Sequence, residues 1–192
     1  MKKRHPYMSK VRAAQSARSR ARIIDSVITL MKSRFREQIR LEDVADGAQM
    51  TEQTIKNKFG SKAALFDAAL VEVHREAKEL RHRARPEELE AGIAGLVGYY
   101  ERLGDLLFRN RAEEGDLELV ETAREGYRQW VKRQFASQLG QANAQRRKSL
   151  TDALECVCDV YTWTLLRRDM GRSRPDTERA ILGMVNALFG QP

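Results

Sequence analysis

The chain has no hydrophobic run approaching the ~18 residues that a membrane-spanning helix needs. No apolar stretch follows its charged N-terminal residues, so no secretory signal is read and the cytoplasm is the expected compartment. Proline is scarce, at four in 192 residues, and the apolar residues recur with a 3.6-residue period; together these argue for nearly all helix. The only two cysteines, Cys156 and Cys158, are two apart. On a helix they face different sides, which argues against a disulfide. Without ligating neighbours they read as core packing before they read as a metal pair. No nucleophile elbow, phosphate-cradling glycine loop or metal-ligand spacing is present, so the sequence calls for no catalytic residue, metal or cofactor. His74 and His82, eight apart on a charged helix, read as solvated side chains.

Acid is missing from the first 22 residues, which carry Lys2, Lys3, Arg4, Lys10, Arg12, Arg18, Arg20 and Arg22. Those eight account for the whole net charge of +8, because the other 170 residues hold 27 charges of each sign. A basic arm of this kind fits a polyanion, since each phosphate contact releases counterions. The same composition suits a disordered solubilising tail, and RNA or an anionic membrane surface would tolerate it too. Residues 1–17 are expected to be loosely ordered. A first helix follows from about Ala17 to Arg34, with one stripe of Ile23, Ile24, Val27, Ile28, Met31 and Phe35.

The most informative stretch is LEDVADGAQMTEQTIKNKFGSK, Leu41 to Lys62. Leu41, Val44, Ala45 and Ala48 share one helical face. Gln49-Met50 breaks the pattern, and the Thr51 hydroxyl suits the cap of a second helix. Ile55 and Phe59 give that helix a buried side, leaving Gln53, Thr54, Lys56, Asn57 and Lys58 mostly outward. A helix-turn-helix offers that shape to the DNA major groove. Two surface helices of an ordinary helical protein would show the same pattern. Ser61 caps a long helix from Lys62 to about His82, and RARP at 83–86 reads as a domain junction.

Beyond the junction, Leu89 to Leu107 carries a helix interrupted by Gly92, Gly95 and Gly98, which suggests a neighbour packed close or room for a ligand. Glu113-Glu114-Gly115 breaks the chain, and further helices are expected over about 116–139 and 146–170. The second is apolar on two sides, for which a second subunit is a natural cover. Ser173 to Asp176 has capping-box spacing around Pro175 and opens a last helix to about Phe189. The domains are therefore set at 1–17 for the arm, 18–82 for the helix-turn-helix unit with its linker helix, and 83–192 for a helical C-terminal domain.

The residues Asp43-Val44-Ala45, Ala48, Thr51, Thr54-Ile55, Phe59, Ser61-Lys62 and Leu65, at their spacing, resemble the tetracycline-repressor (TetR/AcrR) family of bacterial transcription regulators. The likeness covers about Arg18 to Leu70; VYTWTLLRRDMG and the last helix resemble the family's C-terminal domains more loosely. It implies an all-α homodimer in which three N-terminal helices bind a double-stranded DNA operator. It also implies that C-terminal helices hold an effector pocket, and that the last two form a four-helix dimer interface. Ligand binding would release the operator, so a repressor is implied. Carried onto this chain, the turn is Ala48 to Met50, the recognition helix Thr51 to Lys58, and Lys62 the phosphate-contacting lysine at the start of the fourth helix. Three residues depart from the pattern. Gln49 stands in place of a glycine in the turn, Lys56 in place of a phosphate-touching tyrosine, and Arg40 in place of a Ser or Thr cap.

Physical reasoning then divides the roles. Lys56, Lys58, Lys62 and the arm hold phosphates, which position without specifying. Gln53, Thr54 and Asn57 are the base readers, with Arg40 and Thr51 bounding the site. The effector pocket, for a hydrophobic or aromatic small molecule, is nominated from Tyr99, Tyr100, Phe108, Tyr127, Trp130, Asp159 and Trp163; the apolar members read equally as core. The dimer face is assigned to Leu150, Val157, Leu165, Ile181, Val185 and Leu188. Two other classes remain open: an architectural or non-specific nucleic-acid-binding protein using only the arm, and a helical enzyme.

Overall fold

The computed structural model describes residues 6–81, 85, 88–112 and 117–190. Lys2, Lys3, Arg4, His82, the junction at 83–86 apart from Arg85, and the Glu113–Gly115 break lie outside the described residues. Everything regular among the described residues is helix. The chain divides into two compact units, Met1–Val73 and His74–Pro192.

The first unit holds α1 (Pro6–Met31), a 3₁₀ turn (Arg36–Gln38), α2 (Leu41–Ala48), α3 (Glu52–Phe59) and the first part of α4 (Lys62–Arg81). The α1 helix starts well before the expected Ala17. Residues 6–22 lack an apolar stripe, so tertiary burial cannot account for the extension. Their Ala, Arg, Lys and Gln content does, since these are the strongest helix formers. The predicted stripe is the core: Ile23, Ile24, Val27, Ile28 and Met31 are buried, and they meet Ile39, Val44, Ala48, Ile55, Leu65 and Phe66. Phe35, read as part of that stripe, is 41% exposed because the helix has already ended. Helices α1 and α2 pack closely at Gly47, where a Cβ would stand 2.4 Å from the Ser26 hydroxyl oxygen. That hydroxyl donates to the Val44 carbonyl at 3.1 Å, so the tight approach also satisfies a buried polar group.

Gln49 terminates α2 with φ 54° and ψ 52°, the left-handed region that glycine adopts freely. The Met50 amide donates to Ala45 O at 2.9 Å and the Gln49 amide to Asp46 O at 3.0 Å, closing the helix end. Arg22 reaches across from α1 and donates to Ala48 O at 2.6 Å and to the Gln49 side-chain oxygen at 3.0 Å. A side chain in this conformation is strained, and the Arg22 guanidinium holds it there. On the far side of the unit, Arg36 lies 5.1 Å over the Phe66 ring and 3.5 Å from Asp67, tying the 3₁₀ turn to α4.

The second unit continues α4 and adds α5 (Leu89–Ala112), α6 (Leu117–Gln134), α7 (Ala136–Gly140), α8 (Ala144–Val157), α9 (Val160–Thr164) and α10 (Arg174–Leu188). Helices α9 and α10 pack on α5, and α8 packs on α6 and α10. Among the glycines of α5, a Cβ at Gly92 would meet the buried Gln134 amide, and one at Gly104 would stand 2.3 Å from the Trp163 ring. Close packing is thus the role of these glycines.

Two expected helices are broken. The first changes direction at Phe135, between α6 and α7. The second is interrupted at Cys158-Asp159, where Asp159 caps α9 by accepting from the Tyr161 amide at 3.0 Å. Three carbonyls around the break are each met by a hydroxyl. Tyr127 donates to Glu155 O at 2.7 Å, Thr162 to Cys156 O at 2.7 Å, and Tyr100 to Cys158 O at 2.9 Å. The Tyr100 bond is buried and the Tyr127 bond part-buried, so the pairing there stabilises the break. Burial pushes the Cys158 thiol up to about 12, which fits its place in the core. Ser173 caps α10 at the Asp176 amide with Pro175 in the first turn, as its spacing predicts.

After α9 the chain widens into a π turn, Leu165–Asp169. It brings two consecutive arginines onto α5. Arg167 donates twice to the Glu101 carboxylate, which also accepts from the Trp163 indole at 3.0 Å. Arg168 bonds both oxygens of Asp105 at 2.9 Å and lies 4.7 Å over the Trp163 ring. The Arg167 hydrogen bonds, followed by that from Trp163, hold the Glu101 carboxyl below the usual carboxylate range.

Two measurements check this account. Gln49→Gly should raise the stability of the first unit by about 1 kcal/mol, because a left-handed non-glycine residue costs on the order of 1–3 kcal/mol and the lost Arg22 contact recovers part of that. Urea unfolding that shows no gain would mean the turn is not strained. A depressed carboxylate pKa contributes stability that is present above the ordinary value of 4.5 and is lost as pH falls through the lower, folded value. Glu101→Gln should therefore lower the melting temperature at neutral pH and flatten its fall below about pH 4.5. Parallel acid limbs in the two proteins would exclude Glu101 as a source of the pH dependence.

Candidate nucleic-acid interface

The candidate site is the outer surface of α3, and its geometry starts at the N-cap. The Thr51 hydroxyl accepts from the Thr54 amide at 3.2 Å, and the two threonine hydroxyl oxygens are 3.0 Å apart. A cap of this kind contributes ~1 kcal/mol and fixes where the helix begins. Ile55, 1% exposed, anchors α3 to the core. With Ile55 pointing inward, Gln53, Lys56 and Asn57 are exposed, while Thr54 and Lys58 are half-buried.

The predicted residues do not all stand free. The Gln53 side-chain nitrogen donates to the Asn57 side-chain oxygen at 2.9 Å, so the two amides are joined one turn apart. Lys56 faces Glu52 at 3.4 Å in a half-exposed i,i+4 pair, an interaction worth only a few tenths of a kcal/mol. Its ammonium is thus readily exchanged for a phosphate. Lys58 turns back onto α1 and donates to the Ser16 hydroxyl at 3.0 Å and carbonyl at 3.4 Å. Lys62 opens α4 with its ammonium 5.7 Å from the Phe66 ring centre. Arg40 is exposed at the N-cap of α2, where its side chain makes no cap. Its backbone N–H instead donates to Asp43 at 2.8 Å, and that bond, with the Arg34 ion pair at 3.1 Å, holds the Asp43 carboxyl below its usual range.

Three residues on α1 belong to the same surface: Arg20 and Arg22, read from the sequence only as part of the basic run, and Ser16, which was not nominated. Arg22 secures the turn, Arg20 lies 4.8 Å over the Phe59 ring, and Ser16 receives Lys58. Ser16, Arg20, Thr54, Asn57 and Lys58 line a cleft of about 500 Å³ between α1 and α3. The basic composition of residues 10–22 pointed to this surface. The pairings themselves, such as that of Lys58 with a serine 42 residues earlier, leave no mark on local spacing.

The residues nominated for an effector pocket divide in the structure. Tyr99, Tyr100, Trp130 and Trp163 are buried to 5% exposure or less, and they pack against one another and their neighbours as core. Tyr100 lies 6.0 Å from Trp163, and Tyr127 stacks at 6.3 Å on Trp130. Tyr127 and Asp159 line a cavity of about 480 Å³ beside the α8–α9 break, with Arg124, Arg128 and Glu155. Phe108 pairs edge-on with Tyr161 at 5.4 Å and lines a separate cavity of about 590 Å³ with Leu165 and Arg168.

The residues nominated for a dimer face divide too. Leu150, Ile181 and Val185 are 6%, 0% and 0% exposed within the single chain, so they cannot meet a second subunit without unfolding the first. Periodicity located the apolar face of each helix correctly, but α10 turns that face onto α5 and α8. Val157 and Leu188 are half-buried, and Leu165, at 46% exposure, is the one clearly outward residue of the six. Tyr161, Met170 and Met184 are exposed as well.

Among the described residues no helix is long and apolar enough to cross a membrane. No family model matches the sequence, and no curated protein matches it. Among solved structures, the crystal structure of a TetR-family transcriptional regulator from Streptomyces coelicolor is 17% identical, with a TM-score of 0.70 over 90% of this chain and 80% of that one. The chain is therefore all-α with the fold of a TetR-family transcriptional regulator, as the residues of the helix-turn-helix implied.

Proposed function

We propose that this protein is a sequence-specific DNA-binding transcription regulator that works in the cytoplasm as a homodimer. The observation that carries the reading is the outer face of α3: exposed Gln53, Lys56 and Asn57 on a helix seated by Ile55 and flanked by the cationic start of α1. Amides read base edges, and lysines hold the backbone on either side. Arg12, Arg18 and Arg20, all exposed along α1, extend the positive surface beside the readers. Thr54, its hydroxyl engaged with the Thr51 cap, takes a positioning role as much as a reading one.

Two such heads related by twofold symmetry read a palindrome with half-sites about one helical turn apart or slightly more. Repression follows from occluding the polymerase, and an effector releases the operator. The cavity beside Tyr127 and Asp159 is the candidate effector site. Its carboxylates, arginines and aromatic rings favour the aromatic one of the two ligand classes read from the sequence, carrying a polar group. The dimer face is reassigned to the outward residues around Leu165 and Met184.

Selection from a random duplex pool tests the reading, and enrichment of a palindromic site is expected. Lys62→Ala should weaken binding to selected and unselected duplexes by the same factor and reduce the salt slope by about 0.9 per lost phosphate contact. A change in the selected sequence would remove Lys62 from the phosphate holders. Leu165→Glu should give a monomer by light scattering, with little change in secondary structure. Val185→Ser should instead lower the melting temperature, because its side chain is buried in the chain's own core. An intact Leu165→Glu dimer would place the interface elsewhere.

A further inference from the structure

We infer that Gln53 and Asn57 act as one composite reader of a single adenine, rather than as two readers of two bases. The inference rests on the DNA-binding role proposed above and adds the identity of the base and the way it is recognised. Both side chains are exposed, one turn apart on α3, and their amides are joined by a 2.9 Å hydrogen bond.

The inventory of donors and acceptors decides what such a pair can present. A carboxamide carries one acceptor oxygen and one donor NH₂. In the bond observed, Gln53 gives a donor and Asn57 gives its acceptor. What remains for a partner is the Gln53 oxygen, an acceptor, together with the Asn57 NH₂, a donor. Exchanging oxygen and nitrogen in both amides reverses the roles but leaves one donor beside one acceptor. The joined pair therefore shows a mixed edge in either orientation.

The four bases answer that edge differently in the major groove. Adenine offers its N6 amino group as donor and N7 as acceptor, so both halves of the pair are satisfied. Guanine offers two acceptors, N7 and O6, and leaves the oxygen of the pair facing another oxygen. Cytosine offers only its N4 donor. Thymine offers its O4 acceptor beside a methyl group. An unanswered polar group at a desolvated contact is what discriminates among them.

The pair is also held before the base arrives. Thr51 fixes the first turn of α3 and buried Ile55 fixes its rotation, so residues 53 and 57 project from one face. The Gln53 and Asn57 amides are bonded to each other, and among the described residues Glu52 is engaged by Lys56. A preformed edge loses less side-chain freedom on binding than two independent amides would.

The test is selection from a random duplex pool with the full-length protein, followed by affinities for the selected site and for the three substitutions of the base concerned. Wild type should prefer adenine at one position of each half-site by about 5- to 150-fold, the range of a good bidentate contact. Gln53→Ala and Asn57→Ala should both reduce that preference, at the same position and no other, and the double variant should be no worse than Asn57→Ala alone. Asn57→Asp replaces the donor by an acceptor and should move the preference at that position to cytosine, whose N4 group donates. Loss of preference at two different positions in the two alanine variants would overturn the inference. So would a base other than adenine, or an unchanged preference in Gln53→Ala. If wild type binds duplex but selects no sequence, the DNA-reading role itself fails; that result is distinguishable from a selected site in which only the pairing is wrong.

Discussion

The first unit depends on one backbone conformation, the left-handed Gln49 between α2 and α3. The angle at which α3 leaves α2 follows from it, and so does the direction in which Gln53 and Asn57 point. A glycine would adopt the conformation without strain but would leave the turn with more freedom in the unfolded chain and nothing to grip. Glutamine brings a side-chain oxygen that Arg22 binds together with the Ala48 carbonyl. The cation also sits at the C-terminal end of α2, where the helix dipole favours it. The strain at this turn is thus countered by an interaction that reaches back to α1, so the turn, α1 and α2 are a single mechanical piece. The Ser26 hydroxyl under Gly47 performs the same service in the buried layer below.

The second unit solves a different problem, a helix that must bend in mid-course. The break at Cys158-Asp159 frees carbonyls, of which burial would make those of Cys158 and Glu155 costly; Tyr100 and Tyr127 satisfy these two, and Thr162 meets the exposed one of Cys156. Tyr127 serves twice, as a partner for Glu155 and as a wall of the cavity beside the break. A ligand entering there would meet a side chain on which the bend depends, a direct route from occupancy to helix geometry. The π turn a few residues on is locked to α5 by the paired arginines and acids, so movement at the break would be passed along α9 rather than dissipated at its end.

What could be read from the sequence followed the distance over which each determinant acts. The caps at Thr51 and Ser173, and most of the buried faces of α1, α2 and α3, depend on residues three or four apart and were legible; Leu41 and Phe59 are only half-buried and Phe35 is exposed. The break at Cys158 was not legible, because the hydroxyls that meet its carbonyls come from Tyr100, 58 residues before Cys158, and from Tyr127, 28 residues before Glu155. Residues 6–16 were read as a loose arm, whereas the helix-forming Lys10, Arg12, Ala13, Ala14 and Gln15 favour the helix found there. Periodicity also identified the apolar faces at Leu150, Ile181 and Val185, but it cannot tell a face covered by the same chain from one left for another chain. Of the rings nominated for a pocket, Tyr99, Tyr100, Trp130 and Trp163 are core, because periodicity does not separate a ring that packs from one that lines a cavity.

The division of labour on α3 follows the range of the forces involved. Base readout needs donors and acceptors placed to within a fraction of an ångström, and the residues assigned to it are the ones the structure ties down, through the Thr51 cap and the Gln53–Asn57 bond. Attraction to phosphate reaches about 10 Å at moderate salt and tolerates loose geometry. The cations left for it are held weakly, Lys56 by an exposed carboxylate and Lys62 by a ring face. Lys58 is the exception, since its bonds to Ser16 make it a strut between α1 and α3 before it is a phosphate holder. Rigid readers among exchangeable cations let a protein settle on any duplex first and test its sequence afterwards, because the weak contacts can form and re-form while the reading edge keeps its shape.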